Sequence, residues 1–264
     1  MLSKSSFAGG FPLRPGRLII SPSVNYFVAT KGWDSTGVKK SFPNNGKFTS
    51  LSYSLYVEYG ISRRFTFIST LPYVMNNYTQ SDYKSTSNGF TDLETGIKYY
   101  LTNISFKYYL SLQATAITPL YKNPNLGYEE EGAELKLAFA GGGHLFGKST
   151  YFNLEDGLRQ YFGTSGPIQD RYAGTYGLTL NKGYKDQISV TVSGFYTKSD
   201  YKNFSLVNPQ ISKDFSFTQA SLSYGHAFSN QFSIFLTGGQ FIAGRNTGFG
   251  TSGAVSFIYR TDFK

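Results

Sequence analysis

Apolar and polar residues alternate with a period of two along most of the chain, and this pattern is typical of β-strands with one buried face. The C-terminal segment shows it best. Over 250–263, Val255, Phe257, Tyr259 and Phe263 alternate with small or polar residues such as Ser256. Almost no segment shows the 3.6-residue period of an amphipathic helix. The pattern therefore predicts an all-β protein.

Twelve segments carry this alternation, and most are longer than the five or six residues that are usual in globular strands. They lie at about 16–28, 48–59, 64–74, 91–101, 104–118, 131–143, 149–161, 168–181, 185–197, 214–227, 231–242 and 249–263. A strand that crosses a membrane at a tilt needs about 9–11 residues, so their lengths suit a membrane protein.

The connections between the predicted strands alternate in length. Tight turns follow the even-numbered strands, at 60–63, 102–103, 144–148, 182–184 and 228–230. Longer connections follow the odd-numbered strands, at 29–47, 75–90, 119–130, 162–167, 198–213 and 243–248. Transmembrane barrels sort short turns and long loops to opposite ends in this way. We therefore predict a transmembrane antiparallel up-and-down β-barrel of about 12 strands over residues 16–264, rather than a soluble β-sandwich.

Residues 1–15 contain Gly9, Gly10, Pro12 and Pro15, which exclude a helix of any length. We expect this segment to be a periplasmic N-terminal tail or a small plug, and the sequence leaves both open. No apolar stretch of a secretory signal follows Met1. We therefore expect this to be the mature form of a bacterial outer-membrane protein.

The composition is rich in aromatic residues, with 22 Tyr and 24 Phe among 264 residues. Many lie near predicted strand ends, where aromatic rings mark the two lipid interfaces. These are Tyr26, Phe27, Tyr59, Phe65, Tyr73, Tyr99, Tyr161, Tyr196, Phe228, Phe232 and Phe263. The absence of Cys excludes disulfides, thiolate metal sites and a Cys nucleophile.

The formal net charge is +9, but only Lys39-Lys40 and Arg63-Arg64 are adjacent basic pairs. This argues against nucleic acid as a partner, because a nucleic-acid site concentrates Lys and Arg in a stripe or run. Much of the positive charge lies in predicted loops. The partners we expect are outer-membrane lipid, the phosphates of lipopolysaccharide, and a small-molecule solute.

Charged residues also fall on the predicted inward face of the barrel. The pore-lining candidates are Arg17, Glu58, Asp92, Glu94, Lys98, Lys107, Glu134, Lys136, Glu155, Arg159, Arg171 and Arg260. Ser189, Thr191, Ser193 and other hydroxyl residues form the facing wall. Opposed charges can select small polar or amphipathic solutes, or acids and bases can simply pair and fill the lumen. Asp156 falls on the lipid face, which suggests a bulge or a register error.

Enzyme signals are weak. A hydrolase needs a nucleophile, a base and an orienting group within hydrogen-bond reach. The only histidines, His144 and His226, lie at the predicted turn end. The acidic run Glu129-Glu130-Glu131 is typical of a solvated loop. We therefore predict a protein that is not an enzyme, with no cofactor and no metal site.

Two stretches resemble an outer-membrane family named for the meta-cleavage pathway of phenol degradation. One runs from Tyr59 to Phe67 and on to Leu71-Pro72-Tyr73-Val74, and the other from Gly89 to Leu101. The alternating aromatics that lead to Phe263 resemble the C-terminal assembly signal of Gram-negative barrels. The resemblance implies a barrel of about twelve strands that passes small aromatic or apolar compounds, with no catalytic residues to transfer.

We therefore expect an outer-membrane channel for passive passage of small solutes, aromatic or amphipathic compounds among them, through a narrow charge-lined lumen. One alternative is a non-conducting barrel that binds a partner, or forms part of an envelope complex, through the loops 29–47, 75–90 and 198–213. A second alternative is an outer-membrane hydrolase.

Overall fold

A computed structural model describes residues 10–163, 166–181, 183, 185–200 and 213–263. Within them, fourteen strands follow one another: β1 Arg17–Trp33, β2 Lys39–Ser41, β3 Lys47–Gly60, β4 Phe65–Gln80, β5 Tyr83–Phe90, β6 Asp92–Ile104, β7 Tyr108–Pro119, β8 Gly132–Leu145, β9 Lys148–Tyr161, β10 Ile168–Thr179, β11 Asp186–Lys198, β12 Ser216–Ala227, β13 Phe232–Arg245 and β14 Thr247–Asp262. Single 3-10 turns span Pro43–Asn45 and Pro124–Leu126. None of the described helices is long and apolar enough to cross a membrane.

Antiparallel pairing closes the sheet into a barrel. Each long strand pairs with its neighbours in sequence order, and β14 pairs with β1 from Arg17↔Asp262 to Trp33↔Thr247. The short β2 only extends the end of β1, while β5 and β6 pair with successive parts of β4. Twelve staves therefore form the closed wall of the described chain. The predicted fold class and strand number are confirmed.

The largest departure from the predicted strands is at 75–90, which was expected to be a loop. Here β4 continues to Gln80, and β5 returns beside it from Gln80↔Tyr83 to Tyr73↔Phe90. Both faces of this hairpin carry polar residues such as Asn77, Thr79 and Ser85. Alternation of hydrophobicity cannot reveal such a hairpin, because it has no apolar face. Most of the predicted loop 198–213 lies outside the described residues.

The two faces of the wall differ as a membrane barrel requires. The outward face exposes large apolar side chains, among them Leu135, Leu158 and Val190. The inward face holds buried polar and charged groups, among them Glu134 and Arg159. In water this arrangement would leave an apolar exterior unsolvated, whereas lipid solvates it.

Most of the predicted interface aromatics that the structure describes point outward, as the contact between the Phe65 and Tyr99 rings at 4.9 Å illustrates. Two predictions were wrong. Phe27 contacts Phe241, with ring centroids 5.0 Å apart, on the inward side. The Tyr161 hydroxyl donates to Asp92 at 3.1 Å, also inside the barrel.

Asp156 lies on the outward face with no bulge beside it, so both expected explanations, a bulge and a register error, are wrong. The pairing of β9 with β8 and β10 is continuous through this residue. Its direct partner in the β9–β10 pair is Tyr172, and the diagonal neighbour Asp170 brings its carboxyl group next to that of Asp156. The Asp170 carboxyl therefore gives Asp156 a polar contact on an otherwise apolar surface.

Glycine allows one outward side chain to cross a strand. Tyr172 of β10 lies over Gly194 of β11, and its hydroxyl is 2.6 Å from Thr218 Oγ1 of β12. A Cβ at Gly194 would lie 2.5 Å from the Tyr172 hydroxyl and 2.2 Å from the Phe217 carbonyl oxygen. This contact ties three neighbouring strands together.

We predict that Gly194→Ala lowers the free energy of unfolding by about 1–3 kcal/mol, because the added methyl forces Tyr172 and the β12 backbone to shift. Gly253→Ala is the matched control, since a Cβ there meets nothing within 4 Å. Urea titration, read by the gel mobility of folded and unfolded barrel, checks the prediction. Equal midpoints for both variants would contradict it.

Candidate functional site

Four charged side chains from separate strands form a cluster inside the barrel, which we call the ionic cluster: Glu94, Glu134, Arg159 and Arg171. Arg159 donates to Glu94 Oε1 at 2.6 Å and to Glu134 Oε2 at 2.9 Å. Arg171 reaches the same two oxygens, at 3.4 Å and 2.7 Å. Each guanidinium therefore bridges both carboxylates.

Strand register explains this convergence. Glu134 and Arg159 are direct partners in the β8–β9 pair, so their side chains share the inward face. Arg171 pairs with Gly157 of β9, which carries no side chain between them. Both Glu134 and Arg159 are almost fully buried, with side chains 2% and 4% exposed. A buried charge needs such a partner because desolvation is costly.

Two further ion pairs lie next to the ionic cluster. Lys98 contacts Glu58 at 2.6 Å, and the Tyr56 hydroxyl donates to the same oxygen at 2.7 Å. Lys136 contacts Glu155 at 3.1 Å. These pairs border an internal cavity of about 100 Å3, whose lining includes Tyr56, Ile68, Glu94, Lys98, Lys136 and Glu155.

The structure brings most of the predicted lumen residues together. The inward-pointing residues that join these ion pairs and hydrogen bonds are Glu58, Asp92, Glu94, Lys98, Glu134, Lys136, Glu155, Arg159 and Arg171. Arg17 lies at the rim, where it pairs with Asp262 at 2.7 Å. Arg260 donates to Ser233 Oγ at 3.0 Å, while its Nε is buried without a partner in the described chain.

Lys107 was wrongly predicted to line the pore. The strand that was expected to begin at 104 begins at Tyr108. Lys107 lies instead in the turn between β6 and β7, where its backbone N–H donates to the Ile104 carbonyl at 3.1 Å. Left-handed φ angles at Ser105 and Phe106 form this turn. Such angles are uncommon for non-glycine residues, and the sequence signals neither of them.

The loop between β7 and β8 bends inward over the ionic cluster. Tyr121 donates to Asp92 at 2.9 Å, and Tyr128 packs edge-on against Tyr161 at 4.8 Å. Burial raises the pKa of both loop phenols, Tyr121 and Tyr128, above the usual range. The raised pKa keeps the Tyr121 hydroxyl protonated beside the Asp92 carboxylate, to which it donates.

Five phenylalanines form a second inward feature, which we call the aromatic arc: Phe48, Phe27, Phe241, Phe217 and Phe195. Successive ring centroids are 6.2, 5.0, 4.5 and 5.0 Å apart, and the Phe217 and Phe241 rings are stacked. Phe27 reaches Phe241 because Gly250 lies between them; a Cβ there would be 2.5 Å from the Phe27 ring. The arc thus covers the wall from β11 round to β3.

The alternation of the strands places two members of the aromatic arc on the inward face. Phe27 has the same parity as the predicted lumen residues Ser21 and Ser23, and Phe195 has that of Ser189. Because both lie near strand ends, they suited the aromatic girdle equally well. Only side-chain contact between distant strands distinguishes the two.

Arg171 joins the aromatic arc to the ionic cluster. It is the direct partner of Phe195 in the β10–β11 pair, and its guanidinium lies 4.6 Å from the Phe195 ring centroid. Such cation–π contacts are favourable, the more so away from water. An apolar half and a charged half therefore meet in one continuous line of contacts, which we call the mixed belt.

Between the mixed belt and the end of the barrel that carries the short turns, the segment 10–16, which we call the strap, crosses the lumen. Leu13 is buried among Ile19, Phe235 and Ile258 of β1, β13 and β14. The Gly10 N–H donates to Asn153 Oδ1 of β9 at 2.9 Å. In a twelve-stave barrel, β9 is six staves from β1 and so lies opposite it. The strap therefore reaches from one wall to the facing wall.

Both histidines lie at the turn end, away from the mixed belt. His226 Nδ1 is 2.6 Å from Asp186 Oδ1, and His144 Nε2 is 3.5 Å from Ser149 Oγ. Neither contacts the acids of the ionic cluster.

Several solved outer-membrane proteins share this architecture. The COG4313 outer membrane channel from Pseudomonas putida F1 matches with a TM-score of 0.73 and 13% identity, over 97% of this chain and 100% of that one. The translocator domain of autotransporter NalP from Neisseria meningitidis matches with a TM-score of 0.52 and 14% identity, over 93% of this chain and 88% of that one. A deltaS2 mutant of the TodX monoaromatic hydrocarbon channel matches with a TM-score of 0.50 and 10% identity, over 96% of this chain and 91% of that one.

The chain has the fold of a bacterial outer-membrane β-barrel. No protein-family model and no curated protein match its sequence. The predicted location in the outer membrane is confirmed by the barrel and its structural neighbours. In such barrels the short turns face the periplasm, so the strap lies on the periplasmic side of the mixed belt.

We predict that Lys98→Met costs about 3–5 kcal/mol of stability, because it leaves the Glu58 carboxylate without its cation in a buried site. The Glu58 side chain is only 3% exposed. The double variant Lys98→Met/Glu58→Gln should regain most of the loss. Urea unfolding of the three proteins checks this, and a double variant no more stable than Lys98→Met would refute the argument.

Proposed function

We propose that the protein is an outer-membrane channel through which small aromatic or amphipathic solutes pass without energy input. The mixed belt is the observation that carries this proposal. Solutes that cross the lumen meet phenylalanine rings on one side and paired charges on the other. A molecule with an apolar ring and a polar end can contact both at once.

The aromatic side of the belt supports passage of apolar rings. Phe27, Phe195, Phe217 and Phe241 are only partly buried, so part of each ring faces the lumen. Offset or edge contacts between aromatic rings are worth about 0.5–1.5 kcal/mol beyond area burial. Several such weak contacts in a row retain a solute only briefly, and passage requires binding that is weak enough for release.

The charged side supports selectivity rather than free ion flow. Its acids and bases neutralise one another: each glutamate of the ionic cluster contacts both arginines. Paired charges leave a local dipole rather than a net charge, and a dipole orients polar solute groups without holding an ion tightly. The other pore-lining candidates, with the exception of Lys107 in the β6–β7 turn, keep this proposed role in selectivity.

We further propose that residues 1–15 act as a small plug rather than as a free tail. Leu13 is only 8% exposed, and Gly10 packs against Ala138 and Ala140 of the facing wall. The described part of this segment, residues 10–15, narrows the periplasmic end of the lumen. The alternative, a non-conducting barrel within an envelope complex, predicts no conductance even without this segment.

Single-channel recording in a planar bilayer tests the channel and the plug together. We expect small conductance steps from the full chain and steps several-fold larger after deletion of residues 1–15. A chain with Leu13→Ala, which removes one strap anchor, should show frequent transitions between both levels. Silence from both the full and the shortened barrel, with normal gel mobility, would favour the envelope-complex alternative.

Block of the current by benzyl alcohol tests the aromatic arc. We expect Phe217→Ala and Phe241→Ala to weaken the block about 2- to 10-fold each, the size of one lost ring contact. Phe257→Ala is the control, because that ring lies on the outward face beside Phe232. Equal effects of the inward and outward variants would argue against binding at the arc.

A further inference from the structure

Arg171 is held in place by only part of its guanidinium group. Its Nη1 makes both contacts to the ionic cluster, at 2.7 Å to Glu134 and 3.4 Å to Glu94. Its side chain is 25% exposed, whereas that of Arg159 is 4% exposed. The Nε and Nη2 groups of Arg171 have no hydrogen-bond partner among the described residues.

An aromatic surface begins where these donors lie. Phe195 lies against the Arg171 guanidinium, and Phe217 and Phe241 continue the surface along the wall. Nε and Nη2 of a guanidinium form a planar fork that matches the two oxygens of a carboxylate. A carboxylate on a ring thus finds its two complementary surfaces side by side.

We propose that this junction of Arg171 with the aromatic arc is a binding site for amphipathic carboxylates, in which Arg171 binds the carboxylate and Phe195, Phe217 and Phe241 bind the apolar body. This site deepens the proposed channel function and rests on it for its physiological use. A carboxylate site would give the channel a preference for negatively charged solutes, and the channel proposal alone does not specify their charge.

Charge supports an anion over a cation here. The ionic cluster has two arginines and two glutamates, so it repels neither sign as a whole. Glu134 points inward but is covered by the two arginines, with its side chain 2% exposed. Glu94 is 26% exposed, but its Oε1 contacts both arginines, and Arg171 is the group of the ionic cluster that lies against Phe195, so it presents the charge next to the aromatic arc. The net charge of +9 adds a long-range attraction for anions.

Equilibrium binding to the folded barrel in non-ionic detergent tests the site independently of conductance. Radiolabelled benzoate, benzyl alcohol and benzylamine share a ring and differ in charge, and protein-free micelles correct for partitioning. At neutral pH we expect benzoate to bind at least about 10-fold more tightly than the other two, as one charge-assisted hydrogen-bonded pair implies.

Variants of the junction locate the binding. Arg171→Gln should weaken benzoate binding about 10- to 100-fold and leave benzyl alcohol binding unchanged. Arg171→Lys should restore only part of it, because an ammonium cannot form the planar fork. Lys47→Gln is the control, since it removes one positive charge from an exposed residue at the same end of the barrel.

Equal affinity for benzoate and benzyl alcohol, or preference for benzylamine, would overturn the carboxylate site. So would unchanged benzoate binding in Arg171→Gln whose gel mobility shows a folded barrel. Normal benzoate binding by a barrel that conducts no current would instead keep the site and overturn the channel. The two proposals therefore fail in different experiments.

Discussion

Closure of the backbone hydrogen-bond ladder between β1 and β14 is the constraint on which the rest of the structure depends. An open sheet in a membrane would leave the N–H and C=O groups of two edge strands unpaired in hydrocarbon, where each costs several kcal/mol. Pairing from Arg17↔Asp262 to Trp33↔Thr247 removes both edges. Closure also creates an interior that lipid cannot reach. Buried charged residues are stable there only when acids and bases pair, as they do in the ionic cluster.

Much of the fold could be predicted because alternation and loop length are local signals. The strand from Asp186 to Lys198 was expected at 185–197, and its hydrophobic pattern alone set both ends closely. The polar hairpin of β4 and β5 was missed because it has no apolar face. The position of Lys107 was predicted wrongly because the left-handed turn at Ser105 and Phe106 contains no residue typical of such turns, such as Gly or Asn.

The candidate site was predictable in its members and not in its connections. Parity placed Glu94, Glu134, Arg159 and Arg171 on the inward face, but their mutual contacts depend on three-dimensional register across four strands. Predicting the aromatic arc requires more information than strand register. Phe27 meets Phe241 only because Gly250 of the intervening strand has no side chain, and such an arrangement involves three distant segments. Sequence patterns describe one strand at a time, so neither the arc nor its junction with Arg171 could be read from them.

The seat of the strap has a consequence for the order of assembly. Leu13 rests against Ile19 near the start of the barrel and against Phe235 and Ile258 near its end. Gly16 is held by the Gly60 carbonyl at 2.8 Å and by the Phe263 N–H at 2.7 Å. These groups come together only when the first and last strands have met. The strap is the first part of the described chain to be synthesised, yet its full set of contacts exists only after the barrel has closed.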